Sequence, residues 1–76
     1  MPPLPVISGQ QALRAFERRG WRFIRQRGSH MLLVRDGLPV NLAIPNHSEL
    51  DRGTLRALIK KAELSVADFL EAISEV

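Results

Sequence analysis

Two apolar segments separated by an Asp-Gly pair constrain this chain more than any other feature. Met31-Leu32-Leu33-Val34 is closed by Arg35; Asp36-Gly37 follows; then Val40, Leu42 and Ile44 alternate with Asn41 and Ala43. Asp-Gly between such segments is a strong local signal for an antiparallel hairpin, and the alternation marks a strand with one buried face. With Asp36 and Gly37 as the two loop residues, Leu33 faces Val40, Met31 faces Leu42 and His30 faces Ala43. Directly opposed residues share a side of the sheet. Met31 and Leu33 therefore join Val40, Leu42 and Ile44 in a core, and His30 points to the opposite side. Pro39 keeps the last strand short or at an edge, and Pro45 stops it.

A further strand starts around Trp21, Phe23 and Ile24 and runs into Arg25-Gln26-Arg27-Gly28-Ser29-His30. Two registers fit. A three-residue loop of Gln26-Arg27-Gly28 buries Trp21 and Phe23 and sets Ile24 beside His30. A two-residue loop of Arg27-Gly28 sets Arg25 beside His30 instead. The first is preferred, because it buries the large aromatics and gives Gly28 a position that tolerates positive φ.

Helices flank the strands. Ser8-Gly9-Gln10-Gln11 fits a capping box that opens a helix with Ala12, Leu13 and Phe16 on its apolar stripe, and Gly20 suits the left-handed residue that ends it. Asp51 caps a second helix striped by Leu55, Leu58 and Ile59. Ser65-Val66-Ala67-Asp68 reads as another capping box, leading into Phe69, Leu70 and Ile73. The pattern predicts an α+β domain in the order α-β-β-β-α(-α), with a three-stranded antiparallel sheet carrying its helices on one face. Residues 1–76 are expected to form a single domain, in which 1–6 make an extended, mobile N-terminal arm and 7–75 the folded part.

A chain of 76 residues buries only about 60% of its unfolded surface, and without cysteine it has neither disulfides nor thiolate metal sites to add stability. No apolar run approaches the roughly 20 residues of a membrane span, and no signal-peptide pattern precedes the fold, so a soluble cytoplasmic protein is expected. Charge is unevenly spread. Residues 1–45 carry seven arginines against Glu17 and Asp36, a balance of +5, and residues 46–76 carry four cations against six acids, a balance of −2. Guanidinium groups present a planar fork of donors to phosphate oxygens. Charge alone leaves two readings open: a nucleic-acid surface or a solvated basic face.

The chemistry-bearing residues are few. His30 and His47 are the only histidines, too few for a structural zinc site in the absence of cysteine. No glycine-rich phosphate loop and no nucleophile elbow is present. A histidine in a basic setting suits metal-independent RNA cleavage, since imidazole changes charge near pH 6.5 and serves as acid or base. Arg25 and Arg27, with Arg22, would hold phosphate and offset developing charge. On the residues alone His30 is equally a polar residue opening a strand, and His47 a loop or capping residue. Gly53 near a helix start allows close approach to the sheet, and Thr54 supplies a local hydroxyl bond. Arg56, Lys60 and Lys61 share an outer region of the second helix, facing either RNA or an acidic protein.

Ser8-Gly9, Gly20-Trp21, Arg27-Gly28-Ser29-His30, Ile44-Pro45-Asn46-His47 and Gly53-Thr54-Leu55-Arg56, followed by Leu58-Ile59-Lys60-Lys61-Ala62 and Phe69, resemble the HicA-type toxins of HicA/HicB toxin–antitoxin systems. The resemblance covers roughly residues 7–73. It implies a double-stranded-RNA-binding-domain-like fold. It also implies a ribonuclease (an mRNA interferase) that cleaves single-stranded mRNA without metal or cofactor and inhibits translation. His30 matches the catalytic histidine, and His47 and Ser29 are the candidates for a second catalytic or supporting role. The implied partner is a HicB-like antitoxin, heteromeric with a toxin that is monomeric when free. The alternative is a non-catalytic RNA-binding module of the same fold. One departure stands out: Glu63 follows Ala62 where the family has glycine, and glutamate resists positive φ.

Overall fold

Residues 3–75 are described in the computed structural model of the chain. The element order is α1 (Gly9–Glu17), β1 (Arg22–Arg27), β2 (His30–Val34), β3 (Leu42–Pro45), α2 (Arg52–Lys61) and α3 (Val66–Ser74). The strands form one antiparallel sheet in the order β1-β2-β3. This is the expected α+β arrangement, that of a double-stranded-RNA-binding-domain-like fold.

The second hairpin differs from expectation in register. Leu33 pairs with Leu42 and Met31 with Ile44, so His30 lies opposite Pro45 rather than Ala43. Leu38 N–H donates to the Arg35 carbonyl (3.2 Å) around Asp36-Gly37, and of those two residues only Gly37, at φ +89°, has positive φ. A two-residue Asp-Gly hairpin turn requires positive φ at both positions. With Asp36 on the ordinary side the turn is of the type II kind, and the chain runs on past Pro39 before pairing begins. The displacement is two residues, an even number, so every side chain keeps its face. Met31, Leu33, Leu42 and Ile44 are fully buried, and Val40 packs at the margin of the core.

All three helices contribute to that core. Ala12, Leu13 and Phe16 come from α1; Leu55, Leu58 and Ile59 from α2; Phe69 and Ala72 from α3. Leu70 and Ile73 are only half-buried, so Ala72 takes the inward place expected of Ile73. The Phe16 and Phe69 rings meet at 5.0 Å. Two arginines of the basic half bind the end of α3: Arg18 Nη1 donates to the Ala72 carbonyl (2.7 Å), and Arg19 pairs with Glu75 (2.7 Å). Cations at a helix C-terminus satisfy its last carbonyls and complement its dipole. The Arg19 hydrogen bond holds the Glu75 carboxyl below its ordinary value of 4.5. A depressed carboxyl pKa stabilises the fold above the ordinary value, and that contribution is lost as pH falls through the folded one.

The N-terminal segment is docked rather than free. Leu4 is buried, Arg52 Nε donates to its carbonyl (2.8 Å), and Leu50 N–H donates to the Ile7 carbonyl (2.7 Å). Burying one leucine is worth about 1.5–3 kcal/mol, which offsets the ordering of a short proline-rich segment. The start of the expected arm, Met1 and Pro2, lies outside the described residues.

The helix caps follow from local chemistry. Ser8 and Gln11 complete both halves of the capping box, and Gly20, at φ +96°, closes α1. Ser65 accepts from Asp68 N–H (3.0 Å), but the reciprocal bond expected of a full box does not form; aspartate is one methylene shorter than the glutamate that makes it. At the end of α2, Glu63 N–H donates to the Lys60 carbonyl (3.0 Å) and Leu64 N–H to the Ile59 carbonyl (3.2 Å). This is the Schellman pattern, whose left-handed position normally belongs to glycine. Glu63 occupies it at φ +61°, alone among the described non-glycine residues. A non-glycine residue there costs about 1–2 kcal/mol, part of which glycine returns as unfolded-chain entropy. Glu63→Gly should therefore stabilise the protein by about 0.5–1 kcal/mol and raise Tm by a few degrees. Thermal unfolding followed by circular dichroism checks this; a lower Tm in the variant contradicts the strain.

Candidate functional site

Whether the arginines of β1 stand near His30 is decided by the first hairpin. Its turn is Gly28-Ser29, one residue later than either expected loop, with Arg27 paired to His30, Gln26 to Met31 and Arg25 to Leu32. Gly28 has φ +61°, and Ser29 is not left-handed. Positive φ at the first of two central residues defines the type II′ turn, which matches strand twist and takes glycine at that place. Gly-Ser is itself a signal for this turn.

Beyond the turn the ladder is interrupted. Phe23 pairs with Leu33, yet Arg25 pairs with Leu32, so Ile24 is an extra residue, a β-bulge. The bulge changes the parity of the strand. Arg22, opposite Val34, joins Arg25 and Arg27 on the side that carries His30, Leu32 and Val34. That side lies opposite the buried Met31 and Leu33, hence opposite the helices. Trp21 is buried as expected, but Phe23 and Ile24 are 42% and 45% exposed. Phe23 pairs with Leu33 on an edge strand, which has a neighbouring strand on one side only.

His30 opens the central strand, exposed, between Arg27 on one side and Pro45 on the other. Directly opposed Cβ atoms lie about 5 Å apart, so the Arg27 guanidinium and the imidazole can address one small anion. Arg25 follows on the same face. Arg22 lies at the far end of the strand, within 3.7 Å of Asp36 in a highly exposed pair that contributes little. Ser29 takes part through its carbonyl, which accepts from Asn46 N–H (2.7 Å); Pro45 has no N–H, and this bond carries the ladder past it. His47 is exposed, and its carbonyl accepts from Gly9 N–H (2.9 Å), so its backbone sits at the same end of the sheet as His30. Gly9 admits this approach because any side chain there would collide with the Pro45 carbonyl.

Other expected site residues lie elsewhere. Arg56, Lys60 and Lys61 are exposed on α2, in the helical layer, across the sheet from His30. Gly53 does not approach the sheet: a Cβ there would meet the Asp51 carboxylate at 3.0 Å, so its small size leaves room for the cap. Thr54 does make its local bonds, through both its N–H (3.1 Å) and its hydroxyl (3.5 Å), to Asp51. Among the described residues no three His, Asp or Glu side chains gather as a metal site, and no helix is long and apolar enough to cross a membrane.

Three residues absent from the expected site surround the turn. Gln10 Nε2 donates to Asn46 Oδ1 (3.3 Å), Asn46 Nδ2 to Gln26 Oε1 (3.1 Å), and Gln26 Nε2 to the Gly28 carbonyl (2.9 Å). No local motif announces such a chain, because its members come from three separate elements.

The family model described as HicA toxin of bacterial toxin-antitoxin matches residues 9–64 of the 76. The chain belongs to the HicA toxin family. Membership makes it the toxin of a toxin–antitoxin system and implies an antitoxin partner. No curated protein matches the chain. The matched span runs from the first residue of α1 to the Schellman turn after α2, and it contains the whole sheet and the Gly28-Ser29-His30 turn. Glu63, the left-handed residue of that turn, falls at its end.

The turn of this HicA chain has a simple local test. No atom lies within 4 Å of a Cβ built on Gly28, so a side chain there meets backbone strain alone. Gly28→Asn, which tolerates the left-handed region, should fold within about 0.5 kcal/mol of wild type. Gly28→Val should lose about 1–2 kcal/mol or more. Urea unfolding of the two variants decides; equal stability would show that the turn does not hold this conformation.

Proposed function

We propose that this HicA-family chain is an endoribonuclease that cuts single-stranded mRNA without a metal ion, and that a HicB-like antitoxin neutralises it. The observation carrying this reading is His30, exposed at the head of the central strand with Arg27 as its direct cross-strand partner, in a chain of this family.

The chemistry uses the RNA as its own nucleophile. The 2′-hydroxyl attacks the adjacent phosphorus and gives up its proton to a base. The P–O5′ bond breaks as the 2′,3′-cyclic phosphate forms, and an acid protonates the departing 5′-oxygen. One proton is removed and one supplied, so no outside reactant is needed. His30 carries one of these transfers. His47, whose backbone is held at the same end of the sheet, is assigned the other, and the Ser29 hydroxyl lies within the same turn. Arg27 and Arg25 hold the phosphate and offset the charge that grows on its oxygens as phosphorus becomes five-coordinate. Arg22, further along the strand, binds a neighbouring phosphate. Arg56, Lys60 and Lys61 belong to a separate surface, and Gly28 serves the turn rather than the chemistry.

His30→Ala should lower the rate of RNA cleavage by roughly 10²–10⁴-fold while leaving the circular dichroism spectrum and Tm unchanged. The assay is a single-turnover cleavage of labelled single-stranded RNA in excess chelator, read on a denaturing gel. Wild-type cleavage should survive the chelator and leave 2′,3′-cyclic phosphate ends. A His30→Ala protein that cuts as fast as wild type overturns the assignment. Salt-sensitive binding of RNA that stays intact points instead to a non-catalytic RNA-binding module.

A further inference from the structure

Between the helical layer and the Gly28-Ser29 turn runs a chain of three side-chain amides, all oriented the same way. Gln10, in the first turn of α1, donates to Asn46 (3.3 Å), just past the end of β3; Asn46 donates to Gln26 (3.1 Å) on β1; Gln26 donates to the Gly28 carbonyl (2.9 Å). Each interior amide accepts through oxygen and donates through nitrogen, so the chain has one polarity from helix to turn. Bonds arranged head to tail polarise one another. Gln10 Nε2 also donates to Sδ of Met31 (3.6 Å), the residue that follows His30.

These amides do not reach the face where His30 stands. Gln26 pairs with Met31, whose side chain points into the core, so the chain passes along the helix side of the sheet. Its last acceptor is the carbonyl of Gly28, the first turn residue and the one in the left-handed region. Space around the first turn residue is open: nothing lies within 4 Å of a Cβ on Gly28. Turns at the end of a sheet open locally more easily than the core, so bonds from outside the ladder add most to their order there. Asn46 also pins the other side, since its own backbone N–H donates to the Ser29 carbonyl (2.7 Å). Both carbonyls of the turn are thus held by one asparagine, directly at Ser29 and through Gln26 at Gly28.

We infer that Asn46 and Gln26 are positioning residues for the ribonuclease reaction: they lock the Gly28-Ser29 turn from behind and so set His30 against Arg27. The inference rests on the ribonuclease reading for its consequence in rate, and on geometry alone for its consequence in turn order. All three bonds are solvent-exposed, so their removal should barely change global stability. Misplacing a proton-transfer group by about 1 Å costs up to ~100-fold in rate.

Two variants separate the links. Asn46→Ala removes the side-chain bonds and keeps the backbone bond to Ser29. Gln26→Glu still accepts from Asn46 but has no N–H for the Gly28 carbonyl. In the full-length chain, both should lower kcat for single-stranded RNA cleavage by about 10-fold or more, with KM and Tm close to wild type. The double variant should lose no more than the worse single one. Amide hydrogen exchange at Arg27, Gly28, Ser29 and His30 should accelerate, while Leu33 and Leu42 keep wild-type protection. A merely structural role would move Tm and the whole sheet instead. Wild-type kcat in both variants, with His30→Ala inactive, overturns the positioning role and leaves the ribonuclease reading standing. Should wild type itself fail to cut RNA, that reading falls, and exchange at the turn still decides the lock: unchanged protection there overturns it.

Discussion

Everything in this molecule that concerns function depends on the burial of Met31 and Leu33. They are alternate residues of the central strand, and both are excluded from water in the apolar cluster that also holds Leu42, Ile44 and the buried residues of the helices. A strand with two such residues on one side must turn the intervening ones outward. His30, Leu32 and Val34 have no other place to go. The apolar core thus determines which face of the sheet the imidazole takes. The same constraint explains why an error of two residues in the second hairpin leaves the functional face intact.

The bulge at Ile24 adds what regular pairing could not. In an unbroken strand Arg22 would share a face with Gln26, and Arg25 and Arg27 would share the other. One inserted residue brings Arg22, Arg25 and Arg27 onto the His30 side together. The accompanying cost is visible at Phe23 and Ile24, two large apolar side chains left exposed on an edge strand. Other arginines of the basic half do structural work: Arg18 and Arg19 hold the end of α3 against α1, which leaves the charge facing solvent near His30 to β1.

Much of the fold was legible because local chemistry and burial agree. Ser8, Gly20, Asp51 and Ser65 mark helix ends through bonds that residues a few positions away complete, and the apolar stripes of α1 and α2 name their buried faces correctly. Glu63 was legible as a conflict, since the helix end needs a left-handed residue whatever its side chain. The turns were less readable. Asp-Gly suits two turn types that differ in the φ of aspartate, and the choice depends on where Pro39 lets pairing resume. In the first hairpin the wish to bury Phe23 competed with the Gly-Ser turn, and the turn prevailed because an edge strand offers no cover. Leu4 was hidden by the prolines around it, and the bond that holds its carbonyl comes from Arg52, 48 positions away. The amides of Gln10, Gln26 and Asn46 carry no sequence signal, for their meaning lies only in the register that joins them.

On the proposed ribonuclease reading, RNA meets the helix-free face of the sheet, at His30 and the β1 arginines, and not the basic surface of α2. Nuclear magnetic resonance of the His30→Ala chain titrated with a short single-stranded RNA distinguishes the two surfaces. Shifts concentrated at Arg25, Arg27, Leu32 and Ala43, with α2 undisturbed, are the expected result. Shifts centred on Arg56, Lys60 and Lys61, with the sheet face silent, would contradict it.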